Sequence, residues 1–234
     1  MRVAVIQSNY IPWRGYFDII ASVDMFVFYD DIQYTKGDWR NRNRLKTPQG
    51  SVWLTVPVHY ECMSQICEET RVAEAIDWRT RHIRLWQANY RTAPCLDDAL
   101  CILGDLERDK ADLTISQLNI ALTRSICAYL DIGTCLAVSS DYALVGTKTD
   151  RLLDLLGKVG ATTYLSGPSA DTYLDKDAFR RSGIGLEYKS YDYSSYPQLW
   201  GSFDGCVTVL DLIANCGRTS GNHIRSRTPD LKIV

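Results

Sequence analysis

The sequence predicts an α/β fold: a three-layer, mainly parallel sheet of Rossmann-like type, with a helical insertion and a basic hairpin. Three observations carry this reading. Short, largely apolar runs at residues 2–6 (RVAVI) and 25–29 (MFVFY) flank a loop and a short helical stretch, as in a βαβ unit whose strands are covered on both faces. Strand-like and helix-like runs alternate again over the last hundred residues. Between them, residues 77–130 repeat apolar side chains at helical spacing.

The first strand leads into QSNYIPWRGY at 7–16, where Pro12 and Gly15 mark a loop, and residues 17–23 are read as a helix. Residues 33–50 are polar, basic and aromatic, with a turn at Thr47–Gly50. Arg42–Lys46 and 51–58 (SVWLTVPV) pair as the arms of a hairpin. In the insertion, Ile83, Trp86 and Tyr90 share one face until Pro94. Leu113, Leu118, Leu122, Ile126 and Leu130 form a longer amphipathic helix with Asp109 as candidate cap. Then follow strand 134–138, helix 148–159, strand 161–165, helix 176–182 capped by Asp175, strand 184–188 and a final helix at 202–215. About five strands are expected. The polar tail after Gly217 is expected to be loosely ordered. A length of 234 residues without linker or repeat fits one domain over 1–234.

Composition narrows the function classes. The chain is 46% hydrophobic with 14 Tyr and 6 Trp, enough for a packed core. A formal net charge of −2 implies no general attraction to nucleic acid or anionic lipid. No apolar run approaches the ~20 residues of a membrane span, and the N-terminus lacks a signal-peptide pattern. The 8 Cys form no CxxC pair. A reduced, cytoplasmic setting without structural zinc is therefore expected, and no residue is assigned to a metal.

In a sheet of this kind ligands bind beyond the carboxyl ends of the strands. Four groups of residues fall there. Gln7, Tyr10, Pro12, Trp13, Gly15 and Tyr16 follow the first strand, offering flat donors and a close backbone approach; the competing reading is a packed corner of the core. Asp30, Asp31, Gln33 and Tyr34 follow the second strand, where a carboxylate serves as general base or the acids merely end a strand. Lys36, Trp39, Asn41, Arg42, Asn43 and Arg44 belong to a run holding five cations between 36 and 46, suited to a phosphate or carboxylate or else to a solvated hairpin face. Ser166, Gly167 and Tyr173 belong to YLSGPSADTY on the same rim. His82 is added as a candidate base, against the commoner role of a hydrogen-bonded packing histidine. Cys216 is a weaker candidate nucleophile, since no cation neighbours it in sequence.

Residues 7–58 (QSNYIPWRGYFDIIASVDMFVFYDDIQYTKGDWRNRNRLKTPQGSVWLTVPV) resemble the signature of the WbqC-like family. HIRLWQANYRTAP at 82–94, YLSGP at 164–168, YPQLW at 196–200 and DLIANCG at 211–217 extend the resemblance over most of the chain. Ser8 and Asn9 stand where many relatives have Pro-Tyr. The resemblance implies work in surface-polysaccharide or secondary-metabolite assembly: transfer of a glycyl-type or other acyl group onto an amine or hydroxyl, as of an amino sugar. It implies an anionic small-molecule substrate, with acyl-CoA, an acyl-carrier thioester or a nucleotide as donor, and an acyl carrier protein as possible partner. It supplies no catalytic residue. A fold-level analogy to nucleotidylyltransferases and pantothenate-synthetase-like ligases gives a nucleotide-dependent ligase as the alternative, although Trp13-Arg14-Gly15-Tyr16 stands where their His-x-Gly-His would be. A non-catalytic carrier-binding module is the third reading.

Overall fold

Apolar strands at both ends of the chain meet in one sheet. The computed structural model describes residues 1–74, 77–104 and 112–234. Strand β1 (Arg2–Ile6) leads through helix α1 (Arg14–Ala21) to β2 (Met25–Phe28), and the two strands pair in parallel with Val3 opposite Met25. On the far side of β2 lies β5 (Cys135–Val138), and on the far side of β1 lies β6 (Thr163–Ser166), both parallel. Strand β7 (Gly185–Tyr188) pairs in parallel with β6, and β8 (Leu231–Lys232) closes that edge antiparallel. The order is β5-β2-β1-β6-β7-β8, six strands where about five are expected from the sequence.

Period-two alternation divides the apolar strand residues between two cores. Ala4, Phe26, Phe28 and Leu165 face a core shared with α1, α2 (Trp78–Tyr90), α3 (Leu96–Gly104), α4 (Ile115–Tyr129) and α7 (Val209–Cys216). Val3, Val5, Val27, Tyr164 and Leu186 face a second core with α5 (Lys148–Lys158) and α6 (Lys176–Ser182). The hairpin stands apart as β3 (Arg42–Thr47) and β4 (Gly50–Thr55). Its turn is fastened where the Thr47 hydroxyl donates to the Gly50 carbonyl at 2.6 Å, and Gly50 takes a φ of +109° that favours glycine.

Several boundaries differ from the sequence reading. Helix α1 starts at Arg14, three residues early, and α7 starts at Val209 because the Thr208 side chain caps Leu210 N. Asp109 lies outside the described residues; α4 is capped by Thr114, which with Gln117 forms a reciprocal capping box. Asp175 caps α6 as the sequence suggests.

The tail after Gly217 is not loose. It contributes β8, and Asp230 accepts from Arg2 at 2.7 Å and from Lys189 at 2.9 Å. Lys189 in turn lies 3.0 Å from Asp18, both side chains nearly inaccessible. Asp18 also accepts from the Tyr193 hydroxyl and from Ser226 N. The polar composition that suggested disorder is there to satisfy buried charge. No helix among the described residues is long and apolar enough to cross a membrane.

Removing one partner of a buried, hydrogen-bonded pair leaves the other charge uncompensated. Asp18→Ala is expected to lower unfolding free energy by about 3–5 kcal/mol in urea titration. A loss under about 1 kcal/mol, the range of an exposed pair, would show that Asp230 alone satisfies the Lys189 ammonium.

Candidate functional site

The chain runs from β1 outward through β2 to β5, then crosses back to β6 on the other side of β1. The carboxyl end of β1 therefore borders the switch point of the sheet, where ligands bind in folds of this class. The loop leaving β1 is held on all sides. Tyr10 N donates to Trp39 O at 3.0 Å, and Val209 N donates to Pro12 O at 2.9 Å. The Asn43 amide donates to both Tyr10 O and Ile11 O, at 3.1 and 3.0 Å. Between them Ile11 has a φ of +34°, which a β-branched residue adopts only when its surroundings enforce it.

A cavity of about 200 Å³ opens against this loop, walled by Asn9, Pro12, Trp13, Trp39, Asn43 and Cys206. Arg40 donates to Asn9 Oδ1. Arg44 fixes the far wall, donating to Cys206 O through Nε at 3.0 Å and Nη2 at 2.8 Å. Strand alternation puts Asn41 and Asn43 inward and Arg42 and Arg44 outward. The expected separation of like residues onto two faces is present, with Asn41 donating to Val56 O. Arg42 lies over the Trp53 ring at 4.3 Å, and Trp53 touches Trp39 with centroids 5.5 Å apart. Lys36 lies over Tyr60 at 5.2 Å. Among the described residues, neither Lys36 nor Arg42 has a carboxylate partner.

Three aromatic-loop expectations need correction. Tyr10 and Tyr16 are core residues and offer no surface for stacking; the Tyr16 hydroxyl donates to Gln7 O. Gly15 makes room for protein, since a Cβ there would meet the Trp13 indole at 2.3 Å. Gln7 is bound to Gln33 O at 3.1 Å. Trp13, Trp39 and Asn43 are brought together at the cavity. On the second rim, Ser166 is buried, a Cβ at Gly167 would sit 3.3 Å from the Tyr191 hydroxyl, and Tyr173 is 71% exposed; none lines this cavity.

The four candidate bases are all engaged or sealed. Asp30 is fully buried, accepting from Ser8 N at 2.8 Å and Ser116 Oγ at 2.6 Å. Asp31 is paired with Arg151 at 2.6 Å and accepts from Ser139. Burial pushes the Tyr34 hydroxyl up to about 12, so it stays protonated at neutral pH. His82 is also buried, and burial, with the Arg81 charge beside it, pushes its imidazole down to about 4. Its Nδ1 meets the Tyr10 hydroxyl at 2.9 Å, so the neutral imidazole has that nitrogen occupied. Among the described residues no three His, Cys, Asp or Glu side chains are grouped to hold a metal. Burial raises the Cys216 thiol.

Cys206 lines the cavity without any prior signal in the sequence, Pro12 belongs to the loop group expected there, and Asn9 carries only its polarity after a buried strand. Cys206, 162 residues after Arg44, is brought in by the Arg44 contact.

The model of the WbqC-like protein family matches residues 7–223, which includes every wall of this cavity. The chain belongs to the WbqC-like protein family. It is 45% identical over 226 residues to the uncharacterized protein Rv1507c of Mycobacterium tuberculosis, covering 96% of this chain and 97% of that one. No solved structure matches it. Within this WbqC-like chain, the loop, the hairpin and the start of α7 form the candidate site.

Two expectations follow for this WbqC-like site. Because the folded chain holds His82 neutral down to about pH 4 while an unfolded histidine titrates near 6.5, the unfolded state binds the extra proton between those values. Stability should fall as pH drops through that window, by about 2 kcal/mol from pH 7 to 5. His82→Gln should flatten that slope in parallel denaturant titrations; superimposable slopes would contradict the assignment. Gly15→Ala must displace Trp13, at about 1–3 kcal/mol of stability, and a change in tryptophan emission should accompany it. Unchanged emission with unchanged stability would show that the indole is not held there.

Proposed function

We propose that the chain is a transferase that moves an acyl or aminoacyl group, of glycyl type, from an activated anionic donor onto an amine or hydroxyl of a small molecule such as an amino sugar, in surface-polysaccharide or secondary-metabolite assembly. The observation behind this reading is the cavity beside the switch point, mostly apolar with two amides in its wall, together with Lys36 before the hairpin and Arg42 on it, neither of which has a carboxylate partner among the described residues. An anionic donor (acyl-CoA, an acyl-carrier thioester or a nucleotide-linked group) places its charge on those two cations and its apolar part between Trp13 and Trp39. The Asn9 amide, its oxygen held by Arg40, is the donor for the oxyanion that forms as the acceptor attacks. With a thioester the new C–N or C–O bond replaces C–S, and the thiolate leaving group takes up the proton the acceptor loses. Rate then comes mainly from holding the two partners in line.

A second reading, a non-catalytic module that recruits a carrier, is favoured by one specific observation: Asp30, Asp31, His82 and Tyr34 present no free proton acceptor to the cavity.

Thermal unfolding against acyl-CoA thioesters, nucleotide sugars and loaded acyl carriers separates the two. A ligand at 100 times its Kd adds about 2.7 kcal/mol of stability. For the transferase reading, a small donor stabilises the chain, acyl product accumulates by mass spectrometry, and Asn9→Ala and Arg42→Ala each reduce kcat/KM at least about tenfold, with Arg42→Ala acting mainly on KM. Stabilisation by a carrier alone, without turnover, selects the binding module. No response to any of these ligands rejects both.

A further inference from the structure

On the other side of Trp53 a second cavity, of about 240 Å³, opens between β4 and α2. Its walls include Trp53, Pro57, Trp78, Arg81, His82 and Leu85. Three of its features call for a ligand. Trp78 is 2% exposed, yet its indole N–H has no hydrogen-bond partner; a buried donor left unmet is destabilising and needs an acceptor from elsewhere. Arg81 is exposed and has no carboxylate partner among the described residues, whereas its neighbour Arg79 is occupied by Glu74. No carboxylate lines the cavity among the described residues, so the Arg81 charge meets nothing within it.

The remaining surface is flat and apolar. Trp53 is 46% exposed, an unusual fraction for so large an indole. His82 adds no charge near neutral pH, because burial holds its imidazole neutral down to about pH 4. The volume falls below the roughly 300–1,000 Å³ of pockets for larger ligands, which limits the occupant to one ring system with a single anionic arm.

We infer that this cleft is a second ligand site, for a planar aromatic or heteroaromatic anion whose ring lies against Trp53 and Leu85, whose acceptor atom takes the Trp78 N–H, and whose carboxylate or phosphate meets Arg81. Flat rings gain from indole contact, and a guanidinium fork suits either anion. The site is distinct from the cavity beside β1, which none of these residues lines. It stands whether or not the chain is a transferase.

The test is calorimetric titration of the full chain with adenosine 5′-monophosphate and with nicotinate, alongside adenosine and inorganic phosphate as half-ligands. At least one of the two planar anions should bind with Kd below about 1 mM, and each half-ligand about tenfold or more weakly. Arg81→Gln and Trp78→Phe should each weaken binding about fivefold or more, while Asn9→Ala in the other cavity leaves it unchanged. Arg81 is exposed, so its replacement keeps the test decisive even where Trp78→Phe fails to fold. Binding of the nucleotide alone assigns a phosphate-bearing ligand, and of nicotinate alone a carboxylate. No binding of either, or binding indifferent to Arg81→Gln, or equal loss in Asn9→Ala, overturns the inference.

Discussion

One buried carboxylate fixes the ground on which the candidate site is built. Asp30 is inaccessible to water, and a charge in that position is tolerable only when it is hydrogen-bonded. Its two oxygens take Ser8 N and Ser116 Oγ, and its carbonyl takes Glu68 N at 3.1 Å. Asn119 extends the node, donating to Ser8 Oγ at 3.2 Å and to Arg40 O at 2.8 Å. The exit of β1, the end of β2, α4 and the entry to the basic hairpin are thus tied through two side chains, Asp30 and Asn119. The direction in which Asn9, Trp13 and Arg40 leave that node follows from it.

The same node marks the limit of what local pattern reveals. The apolar runs, the helical spacings and the turn chemistry place most strands and helices, because each depends on residues within a turn or two. Asp175 is legible as a cap for that reason. A polar residue just after a strand is different. Asp30 looks like a base on a cleft rim because its partner Ser116 lies 86 residues away and leaves no trace beside it. Tyr10 and Tyr16 read as ligand-stacking rings for the same reason, since the packing that buries them arrives from α2 and the sheet.

The basic hairpin shows a subtler division. Alternation of Arg and Asn at 40–44 is visible in the sequence and persists in the fold. The charged face attracts attention as a ligand surface, but the inward asparagines do the positioning, Asn43 by holding the loop carbonyls on either side of the left-handed Ile11. Lys46, the last cation of the run, is buried and donates to Gln198 and Ser202 O. Charge run and ligand surface therefore coincide only in part.

The tail carries a consequence for how the molecule is made. Arg2 and Asp230 are hydrogen-bonded across 228 positions, and Lys189 needs both Asp18 and Asp230. The central strand β1 gains its β6 neighbour only after residue 163 exists. A ribosome emitting this chain from its first residue delivers the middle of the sheet first and its fasteners last. The early strands must wait with one edge bare until the late strands emerge.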